Sequence, residues 1–283
     1  MPTPSFSFEL TDLCWQVREN GVPKTILSNL NLSIPSGQVV GIIGPNGAGK
    51  TSLLNILQGR IKPSSGDVKV LGQALGNMSL QERAQCIAYV SQHPPHVFDL
   101  TVLDVVKAGR LPHIQMFAFG QQDAQQDLVK KALHRFHLED IKDRSFDALS
   151  GGEQQRAYLA QAMVQDACIL LMDEPINHLD IKHQLELLSQ LRDLPQDVIL
   201  TLHDLNLAAY YCDHLILMKN GQVVAQGTPR EVLTKDIIQS TYGIDVTFHP
   251  ACQNVDDLVG GKGDLNSEYV PFMSYHQKAQ KHD

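Results

Sequence analysis

One eight-residue segment constrains the fold of this chain more than any other. It reads Gly44-Pro45-Asn46-Gly47-Ala48-Gly49-Lys50-Thr51. A short apolar run, Gln38–Ile43, precedes it, and an apolar pattern of helical spacing, Leu53–Leu57, follows it. A strand, a glycine-rich turn and a helix in this order open a nucleotide-binding α/β unit. The segment therefore predicts a phosphate-binding loop rather than a chance turn.

Each residue type in this loop has a chemical purpose. Glycines allow a tight backbone whose N–H groups converge on phosphate oxygens, and the N-terminus of the following helix adds its positive end. Lys50 supplies a charge for the terminal phosphates, and the Thr51 hydroxyl is suited to Mg²⁺. We predict that residues 44–51 and the next residue, Ser52, bind a nucleotide.

Two acidic residues follow a later apolar strand. Ile169–Met172 leads directly into Asp173 and Glu174. A buried parallel strand delivers its C-terminal residues to the ligand crevice of a doubly wound sheet. Asp173 is therefore predicted to hold Mg²⁺ beside Thr51, and Glu174 to orient and deprotonate the attacking water. Alone, the acidic pair is equally compatible with a cap for the next helix, but the phosphate loop favours the catalytic interpretation.

A second glycine-containing segment, Leu149-Ser150-Gly151-Gly152-Glu153-Gln154-Gln155-Arg156, begins another helix. Ser150 and Glu153 have the spacing of a capping box. A capping box does not need two consecutive glycines, which weaken a first helical turn. Two bare amides and a hydroxyl at a helix N-terminus are suited to binding an anion, so this segment predicts a second phosphate contact.

Together these segments resemble the motifs of the ABC ATPase family over about residues 6–250. The run 149–156 is similar to the family signature, 44–51 to its Walker A motif, and Asp173-Glu174 to the end of its Walker B motif. Gln92 resembles the Q-loop glutamine, Asn177-His178-Leu179-Asp180 the D-loop, and His203 the switch histidine. Trp15 lies where an aromatic ring stacks on adenine in the family. Ile176 departs from the family pattern, which more often has Thr.

The resemblance implies three groups of site residues and two ligands, ATP and Mg²⁺. Catalytic roles fall to Glu174, His203 and Lys50. Ligands for Mg²⁺ are Thr51, Gln92 and Asp173. Nucleotide contacts are implied for Trp15, Gly44, Pro45, Asn46, Gly47, Ala48, Gly49, Lys50, Thr51, Ser52, Gln92, Ser150, Gly151, Gly152, Glu153 and Asp180.

The resemblance also implies the architecture. We expect an α/β P-loop core with a mostly parallel RecA-like sheet, an N-terminal antiparallel β subdomain and an inserted helical subdomain. The ATP-binding domain is predicted at 1–247, with the helical insertion at 93–165. The remainder, 248–283, is rich in Gly, Asp, Asn, Lys and His, and is expected to be a partly disordered tail.

Composition excludes several other classes. The formal net charge is -8, which argues against a protein whose main partner is a nucleic-acid backbone. The five cysteines form no C-x-x-C pair, which argues against a disulfide framework and favours the cytoplasm. The N-terminus lacks a signal-peptide pattern, and the longest apolar runs are too short to cross a bilayer. The pairs His93/His96 and His134/His137 lack acidic or cysteine neighbours and are interpreted as surface or helix residues rather than metal ligands.

One further run narrows the resemblance to a transporter group. Thr101–His113 is similar to the T-V-x-x-x-V-x-x-G-R-x-P-H run of importer ATPases for ferric siderophores, haem and cobalamin. Trp15 and Gly109–His113 favour an iron chelate or haem over cobalamin. The group implies a homodimer on the cytoplasmic face of the membrane, two integral-membrane permeases and a periplasmic or lipoprotein binding protein. Arg110 and His113 are expected to face the permease.

Alternatives from other classes stay open at this point. Stacking on adenine is the favoured role of Trp15, with plain core packing as the alternative. A cobalamin or oxyanion importer ATPase is the nearest alternative function. A DNA-repair or chromosome ATPase would carry long coiled coils between the ATP motifs, and a ribosome-associated factor usually carries two ATPase domains; neither pattern is present. A binding module without hydrolysis is disfavoured by the intact Glu174 and His203.

Overall fold

A computed structural model describes residues 5–92, 99–113, 122–177, 179–249 and 272–277 of the chain. The strands are β1 (Phe6–Glu19), β2 (Val22–Pro35), β3 (Val39–Ile43), β4 (Ser65–Val70), β5 (Gln73–Ala74), β6 (Ile87–Val90), β7 (Ile169–Met172), β8 (Asp197–Thr201), β9 (His214–Lys219), β10 (Gln222–Gly227), β11 (Ile244–His249) and β12 (Phe272–Gln277). The helices are α1 (Lys50–Leu57), α2 (Leu80–Cys86), α3 (Val102–Ala108), α4 (Gln122–Arg135), α5 (Gly151–Val164), α6 (Ile181–Arg192), α7 (Leu205–Tyr211), α8 (Pro229–Val232) and α9 (Lys235–Tyr242).

A six-stranded sheet forms the centre of the molecule, in the order β10-β9-β3-β8-β7-β6. The strands from β9 to β6 are parallel, and β10 is antiparallel to β9. All five residues of β3 are buried, and they alternate between two apolar clusters, Val39 and Ile43 on one side and Val40 and Ile42 on the other. The sheet is therefore covered on both faces, as its continuous apolar strands predict.

A second, four-stranded antiparallel sheet, β2-β1-β4-β5, forms the N-terminal subdomain. Strands β1 and β2 make the predicted hairpin, with Asn20 and Gly21 both at positive φ in its turn. Phe8, Leu13 and Leu27 of this hairpin are fully buried in the cluster that also contains α1. The antiparallel sheet therefore covers the face of the central sheet on which α1 lies.

Helices α3, α4 and α5 form the inserted helical segment, where the helical periodicity predicts them. They pack together around Val106, Leu133, Phe136, Phe146 and Ala157, all buried. Each of α3 and α5 begins with a complete capping box, from Thr101 and Ser150 respectively. The described part of the insertion confirms its helical character; residues 93–98 and 114–121, and with them His93 and His96, lie outside the described residues.

The C-terminal region differs from the expectation. Strand β11 crosses the predicted boundary at 247/248, and β12 lies within the tail that was expected to be partly disordered. The two strands pair antiparallel, from Ile244↔Gln277 to His249↔Phe272. The Asn206 amide on α7 donates to the Met273 carbonyl at 3.2 Å and accepts from its N–H at 2.8 Å. The strand at 272–277 was not predicted, because pairing with a distant strand leaves no local sequence signal; 250–271 and 278–283 lie outside the described residues.

Within the described ranges, no helix is both long enough and apolar enough to cross a membrane.

Candidate functional site

The phosphate loop connects β3 to α1 and has the backbone that its glycines predict. Gly44, Gly47 and Gly49 have φ of 148°, 75° and 99°. A Cβ at Gly44 would lie 2.1 Å from the Met218 carbonyl oxygen, so only glycine can occupy that position. Lys50 is buried, and its Nζ donates to the Gly44 oxygen at 2.8 Å and the Pro45 oxygen at 3.2 Å. Asn46, Gly47 and Thr51 are exposed, which leaves the outer side of the loop accessible.

A second tight turn supports this loop from outside. Asn220 and Gly221, between β9 and β10, both have positive φ. The Gly221 N–H donates to the Ala48 oxygen at 3.0 Å, and its carbonyl accepts from the Ser28 N–H at 2.9 Å. A Cβ on Gly221 would lie 2.1 Å from the Ile26 oxygen. The sequence predicts a hairpin here, but gives no signal that the hairpin holds the phosphate loop.

The strand order brings four predicted motifs to one edge of the central sheet. Since β3, β8, β7 and β6 are neighbours and parallel, their carboxyl ends meet at that edge. The residues that follow these strands there are the phosphate loop after β3, His203 after β8, Asp173 and Glu174 after β7, and Gln92 after β6. Residues far apart in the chain therefore converge on one crevice.

Glu174 is the centre of this group. Its Oε1 accepts from the His203 Nε2 at 2.5 Å, and its Oε2 accepts from the side-chain amides of Gln92 and Asn177. Its backbone has φ 49°, an uncommon value for a residue other than glycine. Three elements thus hold one carboxylate, and Gln92, Glu174 and His203 are brought together as the motifs predict.

Thr201, the last residue of β8, connects the two acidic residues. It is fully buried; its Oγ1 accepts from the Glu174 N–H at 2.7 Å and donates to the Asp173 Oδ1 at 2.8 Å. Asp173 is itself buried. Asn177 was predicted only as part of the D-loop, and Thr201 was not predicted as a site residue. A polar residue directly after the apolar run Val198–Leu200 is the one signal that could have identified Thr201.

The charges of the crevice influence one another. Burial lowers the pKa of Lys50, and the nearby carboxylates of Glu174 and Asp173 partly oppose that shift. Burial, with a smaller contribution from Asp173, raises the pKa of Tyr89 to about 12. The Lys50 ammonium is buried near two carboxylates, and water screens a buried charge only weakly. Its charge is therefore available to a phosphate.

The signature segment lies at the N-terminus of α5. Ser150 accepts from the Glu153 N–H at 3.3 Å, and the Glu153 carboxylate accepts from the Ser150 N–H and hydroxyl, both at 2.7 Å. The hydrogen bond from the Ser150 hydroxyl is the larger cause, and the one from the Ser150 N–H the next, of a lowered pKa of Glu153. Gly152 faces Leu179 of the D-loop, 3.6 Å from the position of a Cβ. Among the described residues, no hydrogen bond or ion pair joins Ser150–Glu153 to the phosphate loop.

The other predicted site residues are less distinctive in the structure. Trp15 is half-buried on β1 opposite Leu27 and packs against the core cluster around α1. Asp180 caps α6 by accepting from the His183 N–H at 2.9 Å. Within the described ranges, no group of three or more His, Cys, Asp and Glu side chains is arranged to hold a metal ion. The roles of Trp15 and Asp180 in nucleotide binding stay predictions.

Arg110 and His113 are half-buried and contact the signature helix. The Arg110 Nη1 donates to the Val164 oxygen at 3.0 Å, and the His113 Nε2 lies 2.7 Å from the Gln165 oxygen. Both side chains are directed to the end of α5, because its last carbonyls need donors. The placement of these two residues beside a permease stays a prediction.

Comparison with known families agrees with this geometry. The family described as ABC transporter matches residues 27–177, more than half of the chain. The chain belongs to this family. The site at the edge of its central sheet is accordingly an ATPase site: the Q-loop and switch residues contact Glu174 of the Walker B motif, and the Walker A loop follows the neighbouring strand β3 at the same edge.

Two relatives and one solved structure show how similar this chain is to known proteins. The ferric enterobactin transport ATP-binding protein FepC of Escherichia coli is 37% identical over 84% of this chain and 86% of its own length. The hemin import ATP-binding protein HmuV of Pseudomonas entomophila is 41% identical over 80% of this chain and 89% of its own. The dimeric structure of MJ0796, a bacterial ABC transporter cassette, superposes with a TM-score of 0.71 at 27% identity, covering 79% of this chain and 99% of that one.

Proposed function

We propose that this chain is the ATP-hydrolysing subunit of an importer that takes up an iron chelate, a ferric siderophore or haem, across the cytoplasmic membrane. The observation that carries the cargo class is the similarity to FepC and HmuV, which are named for ferric enterobactin transport and hemin import. The run Thr101–His113, which resembles the same group, supports it. Because this subunit binds ATP rather than cargo, its own site does not choose among chelates.

In the proposed mechanism the chain's own residues divide the work at one nucleotide. The N–H groups of residues 46–49 and the Lys50 ammonium bind the phosphates. Glu174 orients the attacking water and takes its proton, and His203, Gln92 and Asn177 hold the carboxylate that does so. Thr201 fixes the backbone of Glu174 relative to Asp173.

A magnesium ion suits the oxygen donors of this crevice. The Thr51 hydroxyl, the Gln92 amide oxygen and the buried Asp173 carboxylate would hold it, and Mg²⁺ commonly binds one or two carboxylates together with substrate phosphates. When bound, the ion would neutralise charge that develops on the phosphates during hydrolysis. The Thr201 hydroxyl donates to the Asp173 Oδ1 and so helps to fix the carboxylate that would hold the ion.

We further propose that two copies of the chain share each nucleotide. In one protomer the signature segment is at the N-terminus of α5, next to the D-loop and not bonded to the phosphate loop. Ser150, Gly151 and Gly152 of one copy would cover the phosphates held by residues 44–51 of the other. The similar cassette MJ0796 is dimeric, which supports pairing of two copies. The dimer would bind two integral-membrane permeases at the cytoplasmic face, and these would receive cargo from a periplasmic or lipoprotein binding protein.

Uptake by intact cells tests the cargo assignment. Cells that lack this chain are expected to lose uptake of ⁵⁵Fe-labelled siderophore or of haem, and the wild-type chain should restore it while Glu174→Gln should not. Normal uptake of every iron chelate, with a defect in cobalamin uptake instead, would show that the cargo is wrong. Co-purification with nucleic acid or ribosomes rather than with membrane proteins would contradict the importer assignment as a whole.

A further inference from the structure

The segment after α3 is attached to the far end of the signature helix. Gly109 approaches the backbone of α5 so closely that a Cβ would lie 2.2 Å from the Gln161 oxygen. The Arg110 Nη1 donates to the Val164 oxygen, and the His113 Nε2 contacts the Gln165 oxygen. We name Gly109, Arg110 and His113 the α5 clamp. Its three members pack against the last turn of α5, and Arg110 and His113 contact carbonyls that lack helical donors, where the helix dipole favours a cation.

The clamp is also attached to the core that carries the phosphate loop. The Pro112 carbonyl, within the same segment, accepts from the side-chain amides of Gln81 and Gln85 on α2, each at 3.0 Å. Gln165, at the end of α5, donates through its Nε2 to the Ala84 oxygen at 2.6 Å and to the Ile87 oxygen at 2.9 Å. The end of α5 is thereby joined to α2 and to the first residue of β6, the strand that leads to Gln92.

These contacts hold the C-terminal end of α5, while its first half packs within the helical insertion through buried Ala157 and an edge-on contact between the Phe146 and Tyr158 rings. The helix has 14 residues, about 20 Å at 1.5 Å per residue. A tilt of about 5° at the clamp would move Ser150 by roughly 2 Å, and misplacement by about 1 Å can cost two orders of magnitude in rate. The signature at the opposite end has its own capping box and an exposed first residue, Gly151. The clamp segment and Gln165 together therefore join the end of α5 to α2 and β6 of the ATP-binding core.

We infer that Arg110 and His113 are positioning residues for hydrolysis: they fix the angle of α5, so that its signature end meets the nucleotide held by a second copy. This role differs from a contact with the permease, which would leave the isolated subunit unaffected when Arg110 is replaced. It rests on the proposed sharing of each nucleotide between two copies.

The test uses the full chain in a Glu174→Gln background, where the ATP-bound dimer should persist. ATP-dependent dimerisation is measured by light scattering, and binding of a fluorescent ATP analogue is measured at low protein concentration. Arg110→Ala should weaken dimerisation about tenfold, the scale of one lost charge-assisted hydrogen bond, with analogue affinity unchanged within about twofold. Arg110→Lys, which keeps a cation and a donor, should recover most of the loss. Lys107→Ala, an exposed cation on the same α3 helix, should behave as the parent.

The outcomes separate a positioning role from simple stabilisation. Arg110→Ala that melts at lower temperature but dimerises as the parent does would overturn the inference, as would a loss that Arg110→Lys does not relieve. If the Glu174→Gln parent fails to dimerise with ATP, the proposal that two copies share each nucleotide is wrong. Hydrogen exchange then tests separately whether the clamp holds α5. Faster exchange at both ends of α5 in Arg110→Ala than in Lys107→Ala would support attachment through the clamp, and unchanged exchange at residues 151–154 would overturn it.

Discussion

Helices α1 and α5 both present an N-terminus to nucleotide in this account, but they are built in opposite ways. Gly49, the N-cap of α1, has φ 99° and no side-chain cap, and the helix start is embedded in the core, with Lys50 buried. Ser150, the N-cap of α5, is bonded to Glu153, and the helix is attached to the core at its other end. The start of α1 is therefore held by the core at the point where the ligand binds, whereas the start of α5 lies at the opposite end of its helix from the attachment to the core.

The phosphate-loop site at α1 is completed by one chain, and we call it the completed half. The signature at α5 is prepared by one chain but needs a second copy to meet a nucleotide, and we call it the prepared half. The phosphate loop, Gln92, Asp173, Glu174 and His203 meet within a single protomer because neighbouring parallel strands end together. The signature of α5 is preformed by its capping box, and its position depends on the helical insertion. Variants near α1 should therefore act on binding and chemistry in one chain, and variants near α5 on the assembly of two.

The largest effect is expected at Glu174, which belongs to the completed half. Glu174→Gln removes the base but keeps a side chain that Gln92, Asn177 and His203 can contact. Turnover should fall by about 10²-fold or more, with ATP affinity nearly unchanged. Steady-state hydrolysis and equilibrium binding on the same preparation check this. Glu139→Gln, which alters an exposed ion pair with His134, is the control, and wild-type turnover in Glu174→Gln would remove Glu174 from its assigned role.

A pair of variants at the two helix starts compares the halves directly. Lys50→Ala deletes a buried cation beside the phosphate loop and should weaken ATP binding to the isolated chain by about tenfold or more, the scale of a charge-assisted hydrogen bond. Ser150→Ala should leave that binding within about twofold and reduce only concentration-dependent hydrolysis. Calorimetric titration at low protein concentration measures both. Equal losses of binding in the two variants would break the distinction between α1 and α5.

A smaller effect is expected at Thr201, inside the completed half. Thr201→Val keeps the shape of the side chain but leaves the Glu174 N–H without its acceptor and Asp173 without a donor. Stability should fall by about 1–3 kcal/mol, with a reduction in turnover. Thr241 offers a matched control, because its buried hydroxyl has no hydrogen-bond partner within the part of the chain that the structure describes, so Thr241→Val should be neutral or stabilising. Denaturant unfolding of both variants decides, and equal effects would remove the bridging role.

The smallest effect is expected at Trp15, which lies outside the N-termini of both α1 and α5. If its ring stacks on adenine, Trp15→Ala should weaken ATP binding several-fold, roughly 1–2 kcal/mol, and Trp15→Phe should be mild. Because Trp15 also packs against the cluster around α1, melting temperature is measured alongside binding. A lower melting temperature with unchanged affinity would assign Trp15 to the core alone.

Most of the completed half, at the phosphate loop, could be predicted from the sequence, and less of the prepared half, around α5. The phosphate loop, the acidic pair and the Asn220-Gly221 turn are local patterns whose backbone demands are visible residue by residue. Thr201 was not predicted as a site residue, because it acts through a contact between separate strands. Asn177 was predicted only as part of the D-loop, and its contact with Glu174 was not. The contact of Arg110 with the end of α5 was not predicted either, because no local pattern shows that this end lies beside it. The pairing of β11 with β12 is likewise a long-range contact, so composition alone suggested a tail.

Mixing two inactive variants tests most directly whether two copies share each nucleotide. Lys50→Ala damages the loop half of a site, and Gly152→Asp would place a carboxylate in the signature half. Alone, each variant should be inactive. Mixed in equal amounts, half of the dimers should pair one of each and contain one intact site, so hydrolysis should return to about a quarter of the wild-type rate. No recovery on mixing, or wild-type hydrolysis by Gly152→Asp alone, would contradict the shared site.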